Sequence, residues 1–248
     1  MTDNETEKTP GGDRIHRYGP SMKPFQAALD SPDIEKIEQH IEKYIGKIET
    51  VFHEIASHLV HVDVLVVKPT PQRNFYTLIT SGMSHQPMKP PPQVEQCKFA
   101  ELLICLPPEW PGFTEKYEVL DKANWPVQLL KMLARFPHEY DTWLWNGHTM
   151  PNGDPPKPYA DGTKLSGMII APPLLVPKGF HSLEIDANKT IFFFSILPIY
   201  PEEMDCKLKK GSNALFKLLD EHKVTELLII DRPSVCKKSW RPFGIHAS

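Results

Sequence analysis

The chain has 248 residues, of which 40% are hydrophobic and 24% charged: enough apolar material for a packed core, and far from the composition of a disordered chain. Its 28 Lys+Arg and 31 Asp+Glu leave a formal net charge of -3 with no basic block, which excludes the electrostatic footprint of a nucleic-acid binder or of a protein held on an anionic membrane surface. The four cysteines, Cys97, Cys105, Cys206 and Cys236, form no C-x-x-C pair and have no histidine at zinc-ligand spacing, so they read as reduced core thiols, with no metal or cofactor expected.

Residues 1 to 20 are polar and punctuated by Gly and Pro, a tail that cannot repay its ordering entropy unless it docks on something. The start of the chain has neither a basic n-region nor an apolar h-region, so a cytoplasmic location is expected. Residues 21 to 248 are read as one domain. Ile34, Ile37, Ile41, Ile45, Ile48, Phe52, Ile55 and Leu59 recur at steps of three and four, which predicts one long helix with Ser31 as N-cap and Pro32 at its first position; Gly46 is a tolerable interior cost of about 1 kcal/mol.

Val60 to Val67 alternates as a strand, with Val60, Val62, Val64 and Val66 on one face and His61 and Asp63 on the other. Phe75 to Thr80 follows after a short connection and is predicted to pair with it antiparallel. Beyond a proline-rich loop, Phe99 to Leu106 is a third strand. A second helix starts at Asn124 and Pro126, buries Val127, Leu130, Leu133 and Phe136, and ends by Pro137. Residues 146 to 163 read as a long connection. Leu165 to Ala171, Phe180 to Ile185 and Thr190 to Leu197 are strands, the last two joined by the turn Asp186 to Lys189. A helix over Ala214 to His222 and a strand over Val224 to Ile230 complete the pattern. Strands with short links, and helices before, within and after them, predict an α+β, α/β/α-like sandwich around a mixed, largely antiparallel sheet.

Several motifs fall short of chemistry. His53-Glu54 and His58 resemble a metalloprotease helix, but H-E-x-x-H needs its histidines four apart and these are five apart. Gly82-Met83-Ser84-His85-Gln86 lacks the second glycine of a nucleophile elbow, and a proline loop stands where the helix should begin. No Gly-rich phosphate loop is present. An enzyme would have to gather His61, Asp63, Ser84 and His148 into one pocket, with a histidine as general base and Ser84 as nucleophile.

The run Leu78 to Met88, with its Ser81-Gly82-Met83-Ser84 turn and Pro87-Met88, resembles the signature loop of the Suppressor of fused (SUFU) domain family. The pattern continues in family order: Ala100-Glu101-Leu102-Leu103 with Leu106-Pro107, Trp125-Pro126, Ala134-Arg135-Phe136, Thr142-Trp143-Leu144, Gly147-His148-Thr149, Ile196-Leu197-Pro198, Glu202-Glu203 and Asp231 to Val235. This resemblance spans about Ile48 to Val235 and implies a single α/β sandwich lobe without established catalytic residues. Animal relatives carry a further C-terminal lobe and grip a transcription-factor segment between the lobes, partly by strand pairing. The present length looks like the bacterial single-lobe members, some of which are thought to be immunity proteins that neutralise toxins.

The implied partner is therefore another protein, a toxin or a regulatory protein. Ser81, Gly82, Met83, Ser84, Pro87, Met88, Glu101 and His148 are the partner-binding candidates, with Phe99 to Leu106 as a strand edge open to an extended segment. The alternative reading makes Met83, Met88 and Trp125 packing residues and has Glu101 cap a buried polar contact.

Overall fold

A computed structural model of the chain describes residues 7–21, 23–24, 33–54, 59–111, 113 and 123–236. The elements in chain order are α1 (Ile34–Tyr44), β1 (Ile48–Phe52), β2 (Asp63–Val67), β3 (Tyr76–Ser81), β4 (Ala100–Leu106) and α2 (Trp125–Glu139). They continue with β5 (Thr149–Pro151), β6 (Gly167–Ala171), β7 (Ser182–Asp186), β8 (Lys189–Ile199), α3 (Pro201–Lys210) and α4 (Ser212–Glu221). All eight strands join one mixed sheet in the order β1-β2-β3-β4-β8-β6-β5, with β7 pairing to β8. Each pair is antiparallel except β4 with β8.

Strand alternation divides the core between the two faces of this sheet. Val64, Val66, Leu78, Leu102, Ile104, Ile170 and Ile196 pack on one face with Val127, Leu130 and Leu133 of α2. On the other face, Leu65, Val67, Ile79, Leu103 and Phe193 meet Ile37 and Ile41 of α1. The same face further along carries Ile169, Leu197 and Ile199 against Leu215 and Leu219 of α4. The expected three-layer arrangement is thus present, and it explains why the strands are apolar on both faces. Among the described residues, no helix is long and apolar enough to cross a membrane.

The single long helix is corrected by the structure. α1 stops at Tyr44, Gly46 takes φ 143°, and the remaining apolar positions enter β1, which pairs antiparallel with β2. A residue with a side chain is strained at that φ, so Gly46 turns the chain out of the helix. Steps of three and four carried the stripe through the turn because Ile48 and Phe52 are also half-buried positions of an edge strand. Ser31, Pro32 and Ile55 lie outside the described residues.

Five smaller expectations are also corrected. α2 runs through Pro137 to Glu139. Part of the connection at 146–163 is β5, and α3 stands before the expected α4. Residues 224–230 give one parallel bridge, Leu227 with Cys105, since β8 already occupies that side of β4 as far as Leu103. β4 itself is interior, with β3 on one side and β8 followed by 226–228 on the other. It therefore offers no open edge to a partner, and the ends of the strand order are β1 and β5.

Residues 7–20 of the expected tail make contacts. The Gly11 N–H donates to the Leu208 carbonyl at 2.9 Å, Lys207 meets Asp13 at 3.0 Å, and Tyr18 donates to Thr142 at 2.9 Å.

Candidate functional site

The signature turn is built around one buried carboxylate. β3 and β4 pair in register as far as Ile79 opposite Leu103. There the ladder stops and side chains replace it: the Leu102 N–H donates to Thr80 Oγ1 at 2.8 Å, and that hydroxyl donates to Glu101 Oε2 at 2.5 Å. Glu101 Oε1 accepts from the Gly82 N–H at 2.9 Å, the Ser84 N–H at 3.0 Å and the Ser84 hydroxyl at 2.6 Å. Glu101 is wholly buried. Burial pushes its pKa up, and the hydrogen bonds from Ser84, Thr80 and Gly82 pull it back only in part.

This turn can close only on glycine at position 82. Gly82 has φ 137°, and a Cβ there would lie 1.8 Å from the His61 carbonyl oxygen. Met83 and Ser84 then enter a short 3-10 turn with both side chains fully buried. The Lys189 ammonium donates to the Ser84 carbonyl at 2.8 Å and pairs with Asp33 at 2.7 Å. From α2, the Nε2–H of His138 donates to the Met83 carbonyl at 2.8 Å.

The burial of His138 has a pH consequence, which the bond to Met83 only partly opposes. Burial drops the His138 pKa from 6.5 to about 4, and His85 and His148 are lowered to about 4 for the same leading reason. An unfolded chain takes up protons near pH 6.5 that the folded chain refuses, so the contribution of these histidines to stability is complete above that pH and declines as the pH falls towards about 4. Urea midpoints measured between pH 7.5 and 4.5 are expected to fall with acidification. The slope should be shallower in His138→Gln.

The eight candidates do not share one surface. Ser81, Gly82, Met83, Ser84, Met88 and Glu101 are buried, while Gln86 and Pro87 are exposed. Pro87 and Gln86 line an open cleft of 380 Å³ together with Lys23, Leu59, Lys89, Pro137, His138 and Asp141. Lys23 and Lys89 both pair with Asp141 across it. His148 stands apart, edge-on to Trp143 at 4.8 Å, with Lys207, His16 and Asp13 nearby. Trp125 stacks on Tyr159 at 4.9 Å at the margin of the core.

The four groups an enzyme would need do not form one nucleophile–base array. His61 Nε2 lies 2.9 Å from Asp63, the Ser84 hydroxyl is spent on Glu101, and His148 is against Trp143. The near-miss His53-Glu54 sequence is not helical, since His53 follows β1 directly.

A second buried carboxylate was not foreseen. Glu203 at the start of α3 receives both arms of Arg232 at 2.7 and 2.6 Å, the Tyr200 N–H at 3.0 Å and the Val235 N–H at 2.9 Å. The signals were in the sequence: Pro201 at the first helical position, Glu202 and Glu203 in the first turn, and Lys207, Lys209 and Lys210 in the last. Thr80, His138 and Lys189, which fix the signature turn from three elements, had no such local signal.

Comparison with known proteins agrees with this architecture. The family model described as Suppressor of fused protein (SUFU) matches residues 58–233. No curated protein matches the sequence. The fold is similar to that of a SUFU homolog from Neisseria gonorrhoeae FA 1090, with 19% identity and a TM-score of 0.60, covering 83% of this chain and 98% of that one. It is also similar to a chain in a Sufu-Fu complex crystal structure, with 15% identity and a TM-score of 0.57, covering 84% of this chain and 93% of that one. With the signature turn inside the matched span and the sheet order built around it, the chain belongs to the Suppressor of fused protein family.

Proposed function

We propose that the chain is a non-catalytic module that binds another polypeptide through the exposed flank of the signature turn and the cleft beside it. The observation that carries this reading is how the turn spends its polar groups. The Thr80 and Ser84 hydroxyls and the Gly82 and Ser84 amides all serve Glu101, so the turn holds a shape and presents no activated nucleophile. Ser81, Gly82, Met83, Ser84, Met88 and Glu101 support the surface on this account, and Pro87 with Gln86 contacts the partner. The Sufu-Fu complex among the similar structures supports a protein ligand.

The finer reading is a cytoplasmic protein whose partner is a toxin that it neutralises, in the manner expected of bacterial single-lobe members, or a regulatory protein. Rescue of growth when the captured partner is co-expressed with this chain identifies a toxin, and a partner harmless on its own identifies a regulator.

The surface is tested by substituting Pro87, whose side chain is exposed and outside the core. Pro87→Glu is expected to weaken binding of the captured partner at least tenfold, about 1.4 kcal/mol or more, with an unchanged urea midpoint. Equal affinity for the variant and the parent would remove the cleft from the interface.

A further inference from the structure

We propose that His53, His61 and Asp63 form a binding site for one divalent transition-metal ion of the zinc class. The site arises from strand pairing and is independent of the partner-binding reading. Phe52 of β1 lies opposite Val64 of β2, so the next residue outward, His53, comes opposite Asp63. His61 precedes Asp63 by two, and strand alternation places both on the face that buries Leu65 and Val67 under α1 further along. At the end of the strand this face reaches the rim of the sheet, and the polar pair replaces the aliphatic one.

The three side chains lie close together, one histidine against each oxygen of Asp63. His53 Nδ1 is 2.9 Å from Asp63 Oδ2, and His61 Nε2 is 2.9 Å from Asp63 Oδ1. Each residue contributes one ligand atom, and these atoms lie within 4.8 Å of one another. Zinc binds imidazole nitrogen and carboxylate oxygen at about 2.0–2.2 Å, which sets tetrahedral donors about 3.3 Å apart. The two 2.9 Å contacts, one to each oxygen of Asp63, have to open by about 0.4 Å, and any donor pair near the 4.8 Å limit has to close by about 1.5 Å, for a tetrahedral ion. His53 has the freedom to make that move, since its side chain is 70% exposed, while Asp63 at 16% is the fixed point.

Two imidazoles and one carboxylate suit zinc and its neighbours, and water fills the remaining positions on the exposed side. Surrounding charges moderate the affinity. Asp63 Oδ1 also accepts the Glu54 N–H at 3.2 Å, Lys131 of α2 brings positive charge near both carboxylates, and Arg135 pairs with Glu54. The ion would tie the end of β1 to the start of β2 beneath the Gly82 turn, whose backbone rests on the His61 carbonyl.

The test uses the full chain, freed of metal by a chelator and titrated with zinc chloride in a calorimeter. One ion per chain is expected, with affinity reduced at least tenfold in His53→Ala and in Asp63→Asn. His222→Ala, an exposed histidine elsewhere, should bind as the parent does. His53→Ala removes a solvent-facing side chain, so a normal circular dichroism spectrum is expected and misfolding is not a confounding cause. As a second readout, zinc should shift the imidazole resonances of His53 and His61. Absence of binding at 100 µM zinc, parent-like affinity in both site variants, or shifts confined to other histidines would overturn the site.

Discussion

Glu101→Ala is expected to cost about 4 kcal/mol or more, a large part of the roughly 5–15 kcal/mol that holds a domain folded. The substitution leaves the Gly82 and Ser84 amides and the Thr80 and Ser84 hydroxyls without their acceptor in a fully buried turn. Each stranded buried donor costs about 1–3 kcal/mol, and the hydroxyls can recover part of this by rotating. Glu101→Gln separates geometry from charge. Its carboxamide oxygen keeps the three donors of Oε1, and its N–H₂ faces Thr80 Oγ1, which can accept, so a loss of about 1 kcal/mol or less is expected.

The same pair of variants reads out the carboxyl's ionisation. Burial raises the Glu101 pKa in the folded chain above its ordinary 4.5, so the folded state holds its proton more tightly than the unfolded one does. Wild-type stability therefore declines through this group as pH rises from about 4.5 to the folded pKa, and Glu101→Gln escapes that decline. Urea unfolding followed by tryptophan fluorescence measures both effects. A loss below about 1 kcal/mol in Glu101→Ala would show that the turn does not depend on this carboxylate.

The second large effect is expected at Arg232→Ala, at about 3–5 kcal/mol. The Arg232 side chain is 9% exposed and that of Glu203 is 0%, so removing the guanidinium strands a carboxylate that has no access to water. Arg232 also donates to the Pro198 carbonyl at 3.1 Å, and its own carbonyl accepts from the Tyr200 hydroxyl. These contacts hold the segment that places Val235 against Leu215 and Leu219. Arg232→Lys keeps the charge but not the two-armed geometry, and should recover only part of the loss. In a double-mutant cycle with Glu203→Ala, the double variant should be less destabilised than the sum of the singles, and strict additivity would deny the pairing.

The parts of the fold that could be read from the sequence are those in which burial and periodicity point the same way. β2, β3, β4 and β8 are short apolar runs bounded by proline or turn residues, and each falls within a few residues of its expected place. The stripe from Ile34 to Leu59 misled because helical steps of three and four also fit an edge strand, and because one glycine was counted as a cost in place of a turn. α3 was missed for the opposite reason: its buried positions include Glu203 and Lys207, charged residues that only their tertiary partners make tolerable.

At the site, the turn Ser81 to Met88 and Glu101 were found as a set, but their mutual geometry was not. The bonds from Thr80, Gly82 and Ser84 depend on where β3 and β4 separate, which register alone decides. The meeting of His53 with Asp63 was hidden in the same way, since a helix through residue 59 keeps the two on different elements. The structure places them side by side.

The most direct test of the proposed function is hydrogen exchange on the full chain, alone and bound to the partner captured from its native host. The account predicts slowed exchange in peptides covering 85–92 and 137–142, which border the cleft, with Ala100 to Leu106 protected in both states. Protection confined to other surfaces, or turnover of a substrate that is lost on replacing Ser84, would contradict it.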